Sequence, residues 1–376
     1  FSHALIIGSV TFLIAAPLMF GLALSLNIMG TTLYATGVMA LAVLPGSVFY
    51  WCKSVLTAHE KMQGIAWART AENAVRLLIG AWLLFNGGTL VHIIWVIFAS
   101  KVVLAGVGML LTLRYATAPS FQWDGALFRY LGSMVPAFSM ITLFNSLFWA
   151  ASVVLLTHFS GETQAGLFGA AFKLVDMIIA LALAYGQAIF PIASRSLKNK
   201  SAYRQVFHRS LKYISLLTLA IAAGTTLLAG PLVQLLYGSQ MSAAAPVLRI
   251  LIWCVVPFSL VPVFSSSLVS YHQQNWDLAA NAAAALSVIA LNILLQPVTG
   301  AVGAAAVLLS ACMIFLLVEA TGVQQRVFRL YVPVQVIYAL PGVLLMWAVI
   351  AITRNTHVLV SVSAAAVIYS GFLYFS

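Results

Sequence analysis

The chain is 376 residues long, 63% hydrophobic and only 7% charged, with a mean hydropathy of +1.05. That apolar content exceeds the roughly 45–50% of soluble domains and falls in repeated runs of about 20 residues, which excludes a water-soluble globular fold. The formal net charge of +11 is carried mostly by the links between those runs, so it reads as a topological signal rather than a nucleic-acid surface.

Twelve runs are long enough to span a bilayer, near 4–26, 32–54, 66–86, 89–113, 133–157, 165–193, 212–236, 246–270, 277–297, 301–322, 332–353 and 357–376. They are continuous rather than alternating, which predicts an all-α, polytopic bundle and not a barrel. The links between them are too short to hold a soluble domain.

Basic residues fall on every second junction: Lys53, Lys61 and Arg69; Arg114 and Arg129; Arg195, Lys198, Lys200, Arg204, Arg209 and Lys212; Arg326 and Arg329. The opposite junctions, 27–31, 86–88, 158–162, 237–242 and 296–300, hold no Lys or Arg. The positive-inside rule then puts both ends of this chain in the cytoplasm. Two links depart from the pattern: 271–276 lacks a Lys or Arg, and Arg354 sits on the outer side. The loop from Arg195 to Lys212 reads first as a solvated anchor beside anionic headgroups.

A weak internal repeat sets Pro45 over Pro257, Ser54 over Ser266, Ala68 over Ala280 and Gly88 over Gly300. An even helix spacing between matched elements implies parallel repeats, an arrangement in which transporters place a substrate site between two halves. The expected organisation is 1–130 as a four-helix remainder of an amino-terminal lobe, 131–324 as a six-helix carboxy-terminal lobe, and 325–376 as two further helices. The repeat, with Phe1 in place of a starting Met, predicts that two amino-terminal helices precede this chain in the whole protein. No cleavable signal peptide is visible.

Three stretches carry a family resemblance: AGLFGAAFKLVDMIIALALAYGQAIFPIASR at 165–195, LLYGSQMSAAAPVLRILIW at 235–253 and GAVGAAAVLLS at 300–310. With the basic loop after the first, they resemble the polysaccharide transporter family. That family contains the Wzx-type O-antigen and capsule flippases of the multidrug/oligosaccharidyl-lipid/polysaccharide superfamily. The resemblance implies two six-helix lobes in a V, often with two extra carboxy-terminal helices. It also implies transport of an undecaprenyl-pyrophosphate-linked oligosaccharide across the bacterial inner membrane. Its implied partners are that lipid-linked substrate, membrane lipids, and a polysaccharide polymerase with other assembly proteins; nucleic acid is not among them.

Independently of the resemblance, Arg76, Lys101 and Lys173 each lie roughly 14–18 Å along their helices, near the centre of a hydrocarbon core about 30 Å thick. Intramembrane charges usually face a protein interior or an aqueous cavity. Asp176 and Glu72 are the acids at comparable depth, so the interior is expected to carry more positive than negative charge. Such a site suits an anion, and the resemblance supplies pyrophosphate as the one expected.

The bland reading stands beside it. Lys173 and Asp176 are spaced i, i+3, and Glu72 and Arg76 are spaced i, i+4, so each pair can simply neutralise itself. Lys101 has no acid at helical spacing on its own helix and is the cleaner candidate. Arg249, about 8 Å from a helix end, either joins the site or snorkels to the headgroups. Asp176 is the best protonatable candidate for ion coupling.

Other features read as packing. Cys52, Cys254 and Cys312 lack metal-ligand spacing, so neither a metal site nor a disulfide framework is expected. Gly300, Gly303 and the alanine runs permit close helix approach. Pro191, Pro257 and Pro262 permit bends, and Trp51, Trp82, Trp123 and Trp276 are placed in the interfacial belt. No Walker motif is present, so no nucleotide or other cofactor is implied. The expected protein is a transporter and not an enzyme. A cation-coupled multidrug exporter of the same superfamily is the alternative, ahead of a membrane-embedded polymerase or acyltransferase.

Overall fold

The computed structural model describes residues 30–59, 61–115, 125–196 and 199–328, with isolated positions nearer each end. The expected spans 4–26, 332–353 and 357–376, and Trp123, lie outside these stretches. Among the described residues every regular element is helical and no strand occurs.

The first helices are α1 (Thr31–Ala58), α2 (Met62–Phe85) and α3 (Leu90–Tyr115). They are followed by α4 (Gly125–Ser196), α5 (Lys200–Tyr237), α6 (Ala244–Leu251), α7 (Val255–Ser270) and α8 (Gln274–Arg326). A short 3-10 turn, Ile252–Cys254, joins α6 to α7 into one continuous run. Seven segments among the described residues have the length and hydropathy of membrane spans. The chain is a polytopic α-helical membrane protein.

Two glycines divide the longest helices where the sequence expects outer turns. In α4, Gly161 has φ 82 and ψ 171, and in α8, Gly300 has φ 56 and ψ −150. A Cβ is strained at such angles, so glycine lets one helix end and the next begin without a loop. The expected spans 133–157 and 165–193 thus fall on either side of the Gly161 break, and 277–297 and 301–322 on either side of Gly300. The two turns are tied together, because the Ala301 N–H donates to Gln164 Oε1 at 3.1 Å.

The chain falls into two compact units, residues 1–132 and 133–376. In the first, α3 packs against both α1 and α2. Phe49, Ala68 and Leu104 form its buried core. Gly108 makes the α1–α3 approach possible, since a Cβ there would lie 2.9 Å from the Phe49 ring. Trp51 is buried in this unit at 6% exposure, so it is a packing residue and not a belt residue as expected; Trp82 is 64% exposed, as a belt residue should be.

In the second unit α8 packs against α6 and α7, and α5 packs against the same two helices. Its centre is an aromatic cluster of Phe148, Trp149, Phe172, Phe258 and Phe315. Ala280, Ala284, Ala304 and Ala305 are fully buried on α8, as a small-residue face against a neighbouring helix requires. The three cysteines are free and buried. Large apolar side chains such as Leu77, Phe85, Met177 and Leu181 stay exposed, which suits a hydrocarbon solvent.

Candidate functional site

Three cations converge on one acid in the first unit. Glu72, midway along α2 and 2% exposed, receives Arg69 at 3.1 Å, Arg76 at 3.0 Å and Lys101 at 2.8 Å. Helical spacing explains two of these, because residues three and four apart share a face. The third crosses between helices: Lys101 reaches over from α3. Arg69 also lies over the Phe49 ring of α1 at 4.9 Å, so all three helices of this bundle meet at the cluster.

The acid is buried while the cations are partly open, with side-chain exposures of 41% for Arg69, 44% for Arg76 and 29% for Lys101. Each cation therefore keeps accessible surface beyond its contact with the carboxylate. Three cations against one carboxylate leave a formal excess of two positive charges. Guanidinium and ammonium groups in that state are suited to phosphate oxygens.

This arrangement alters two expectations. Lys101 is not an unpaired cation, for its partner sits on the neighbouring helix, where spacing along one helix cannot reveal it. Arg69, which the charge pattern assigned to a cytoplasmic junction, is a full member of the cluster.

Lys173 lies in the second unit. It stands 4.0 Å from Asp176, at the limit of an ion pair, with the two side chains 75% and 53% exposed. Arg249 is exposed in the last turn of α6. Neither is buried as the Glu72 carboxylate is.

The expectation of a mainly cationic interior is corrected. Among the described residues the buried charged side chains are Glu72, Asp277 and Glu319, all acids. Lys and Arg side chains carry long flexible stems and reach partial exposure, whereas a short carboxylate is carried inside with its backbone. Asp277 and Glu319 escape a sequence reading because they fall near the ends of the expected spans 277–297 and 301–322; Asp277 is in the first turn of α8, and Glu319 lies about two turns before α8 ends at Arg326.

Glu319 is fully buried, and neither of its carboxylate oxygens meets an N–H or O–H donor among the described residues. Its neighbour is another carboxyl, Asp277, which can bond to it only by sharing a proton. Asn281 Nδ2 donates to Asp277 Oδ1 at 3.1 Å and to the Asp277 carbonyl at 2.9 Å. Asn145 Nδ2 lies 3.5 Å from Asn281 Oδ1, extending the polar strip to α4. Among the described residues no group of three or more His, Cys, Asp or Glu side chains could hold a metal ion.

Residues 1–246 match the family model described as "Polysaccharide biosynthesis protein". The chain belongs to that family. Solved structures add the fold. The lipid II flippase MurJ, in an inward closed conformation, matches with TM-score 0.79 at 14% identity, covering 100% of this chain and 82% of that one. An outward-facing multidrug resistance MATE family transporter of the MOP superfamily matches with TM-score 0.70 at 14% identity, covering 86% and 77%. A MOP superfamily transporter from Pyrococcus furiosus matches with TM-score 0.68 at 15% identity, covering 85% and 75%. Comparison with curated protein sequences returned no match. This member of the polysaccharide biosynthesis family thus has the fold of membrane flippases and exporters.

Proposed function

We propose that this protein is a flippase for an undecaprenyl-pyrophosphate-linked oligosaccharide, moving an O-antigen, capsule or exopolysaccharide repeat unit across the bacterial inner membrane by alternating access. The observation that supports it is the cation excess around Glu72. A pyrophosphate needs several donors held in fixed geometry. A buried carboxylate that fixes three cations while satisfying only part of their charge supplies them. In this reading Arg69, Arg76 and Lys101 hold the pyrophosphate, and Glu72 is a positioning residue.

Lys173 and Arg249 are proposed as secondary contacts and Asp176 as a group that exchanges with Lys173. The polyprenyl chain stays in lipid, so only the charged head and sugar need a protein-lined path. Rocking of the repeats exposes that path on each side in turn. A polymerase on the far side consumes the product.

A cation-coupled multidrug exporter is the second reading, favoured by the buried carboxyls Asp277 and Glu319, which suit a cationic cargo or coupling ion better than an anion. The two readings part on one measurement. Full-length protein in a flippase-null strain should restore surface polysaccharide, and Lys101→Ala should abolish that restoration at normal protein level. If wild type leaves the polysaccharide defect untouched but lowers sensitivity to cationic dyes, the exporter reading replaces the flippase.

A further inference from the structure

α5 has 38 residues, about 57 Å at 1.5 Å per residue, far more than a hydrocarbon core of about 30 Å needs. Its opening turns therefore project beyond the apolar layer, on the side that loop charge assigns to the cytoplasm. Positions 201, 204, 205, 208, 209 and 212 recur at the spacing of one helix face. Tyr203, Phe207, Ser210, Leu211 and Ile214 on the opposite side are buried.

The polar face borders a cavity of about 630 Å³, within the range of small-molecule sites and much larger than a phosphate ion. Arg204, Arg209, Lys212 and His208 line it, and among the described residues no carboxylate does. Asn199 caps α5 there, its Oδ1 accepting from the Ser201 and Ala202 N–H groups at 3.1 and 3.2 Å. The positive end of a long helix dipole thus adds to the field of the side chains.

The rest of the wall is apolar: Val327 and Phe328, where α8 ends, with Tyr271 from the α7–α8 turn. Phe328 is fixed by an edge contact to Phe207 at 5.0 Å and lies 6.2 Å from Tyr203. A cavity with cations on one wall and a packed aromatic on another matches an amphiphile. A free inorganic anion would use the cations and gain nothing from Phe328 or Val327.

We propose that this cavity, built wholly within the second unit, binds the phosphate headgroup of an anionic lipid from the adjoining leaflet, with the lipid chain leaving over Val327 and Phe328. The site is stoichiometric and not a diffuse attraction of a basic loop to a charged surface. It would hold its lipid whether or not the chain transports a polysaccharide precursor.

The test is native mass spectrometry on the full-length chain in neutral detergent, titrated with phosphatidic acid, with phosphatidylcholine and with inorganic pyrophosphate as competitor. Wild type should retain one phosphatidic acid saturably and in preference to phosphatidylcholine. Arg204→Gln with Arg209→Gln should weaken that retention at least about tenfold, as loss of two charge-assisted phosphate contacts would. Phe328→Ala should weaken retention of the lipid, and Lys61→Gln, an exposed cation of the first unit, should leave it unchanged. Monodisperse elution verifies folding; should the double variant fail that check, Arg209→Gln alone, at an exposed position, should still weaken binding severalfold. Wild-type binding in the arginine variants, equal loss in Lys61→Gln, or displacement of the lipid by equimolar pyrophosphate would each overturn the proposal.

Discussion

In the first unit Glu72 is buried among three cations, whereas in the second unit Glu319 is buried against another carboxyl. The contrast separates two uses of a deep acid. A carboxylate with several cations is an organiser: it holds long side chains in register, and its loss leaves like charges facing one another. A carboxyl beside a carboxyl organises no cation, and its charge is uncompensated unless a proton or another cation arrives. The same chemical change, amide for acid, should therefore have opposite consequences at the two positions.

Glu72→Gln carries the largest expected effect. Removing one partner of a buried ion pair costs about 3–5 kcal/mol, and here three cations lose their common anion at once. Inserted protein should fall severalfold and its thermal midpoint should drop, measured by fluorescence-detected size exclusion after heating. Wild-type abundance in this variant would show that the cluster is not held by its acid, and the contrast with Glu319 would collapse.

Lys101→Ala comes next and acts on function more than on stability, because Arg69 and Arg76 still satisfy Glu72. Export of surface polysaccharide should fall at least about tenfold at near-normal protein level, with partial recovery in Lys101→Arg, which keeps the charge. Full export from Lys101→Ala would remove the anion site at its strongest position.

How far the sequence reveals this arrangement depends on which distances matter. The spans are legible because hydropathy over about 20 residues decides them, and Gly161 and Gly300 fall where the pattern expects turns. Glu72 with Arg76 is legible from spacing on one helix. Lys101 with Glu72 is not, because that contact depends on how α2 and α3 are rotated against each other, which periodicity alone leaves open. Arg69 is lost for a different reason: its place next to basic junction residues reads as topology. The face of α5 that lines the cavity is visible in the recurrence of 201, 204, 205, 208, 209 and 212, but the apolar wall comes from residues more than 100 positions away, Val327 and Phe328.

Glu319→Gln is the counterpart to Glu72→Gln and should be mild in stability. Replacing a buried carboxyl that meets no N–H or O–H donor by a neutral amide removes a desolvated charge, so abundance should equal or exceed wild type. A transport defect at that abundance, relieved when the outside pH or sodium concentration is changed, would mark the pair as a coupling site. A fall in abundance matching that of Glu72→Gln would mean that Glu319 has an organising partner after all, and the two acids would no longer differ in kind.

The smallest effect is expected from Lys173 and Asp176. Their separation of 4.0 Å and exposures of 75% and 53% describe a loose pair, and such pairs are worth about 0–1 kcal/mol where water screens them. The double variant Lys173→Leu, Asp176→Leu should insert at wild-type level. If the pair only neutralises itself, that variant exports polysaccharide normally, and Lys173→Ala, which leaves a half-exposed Asp176 alone, does so too at near-normal abundance. If Lys173 instead touches the substrate, both variants lose export at normal abundance, because replacing the acid cannot restore a missing cation. Comparing the double with the single variant therefore tests whether Lys173 itself touches the anion or only pairs with Asp176.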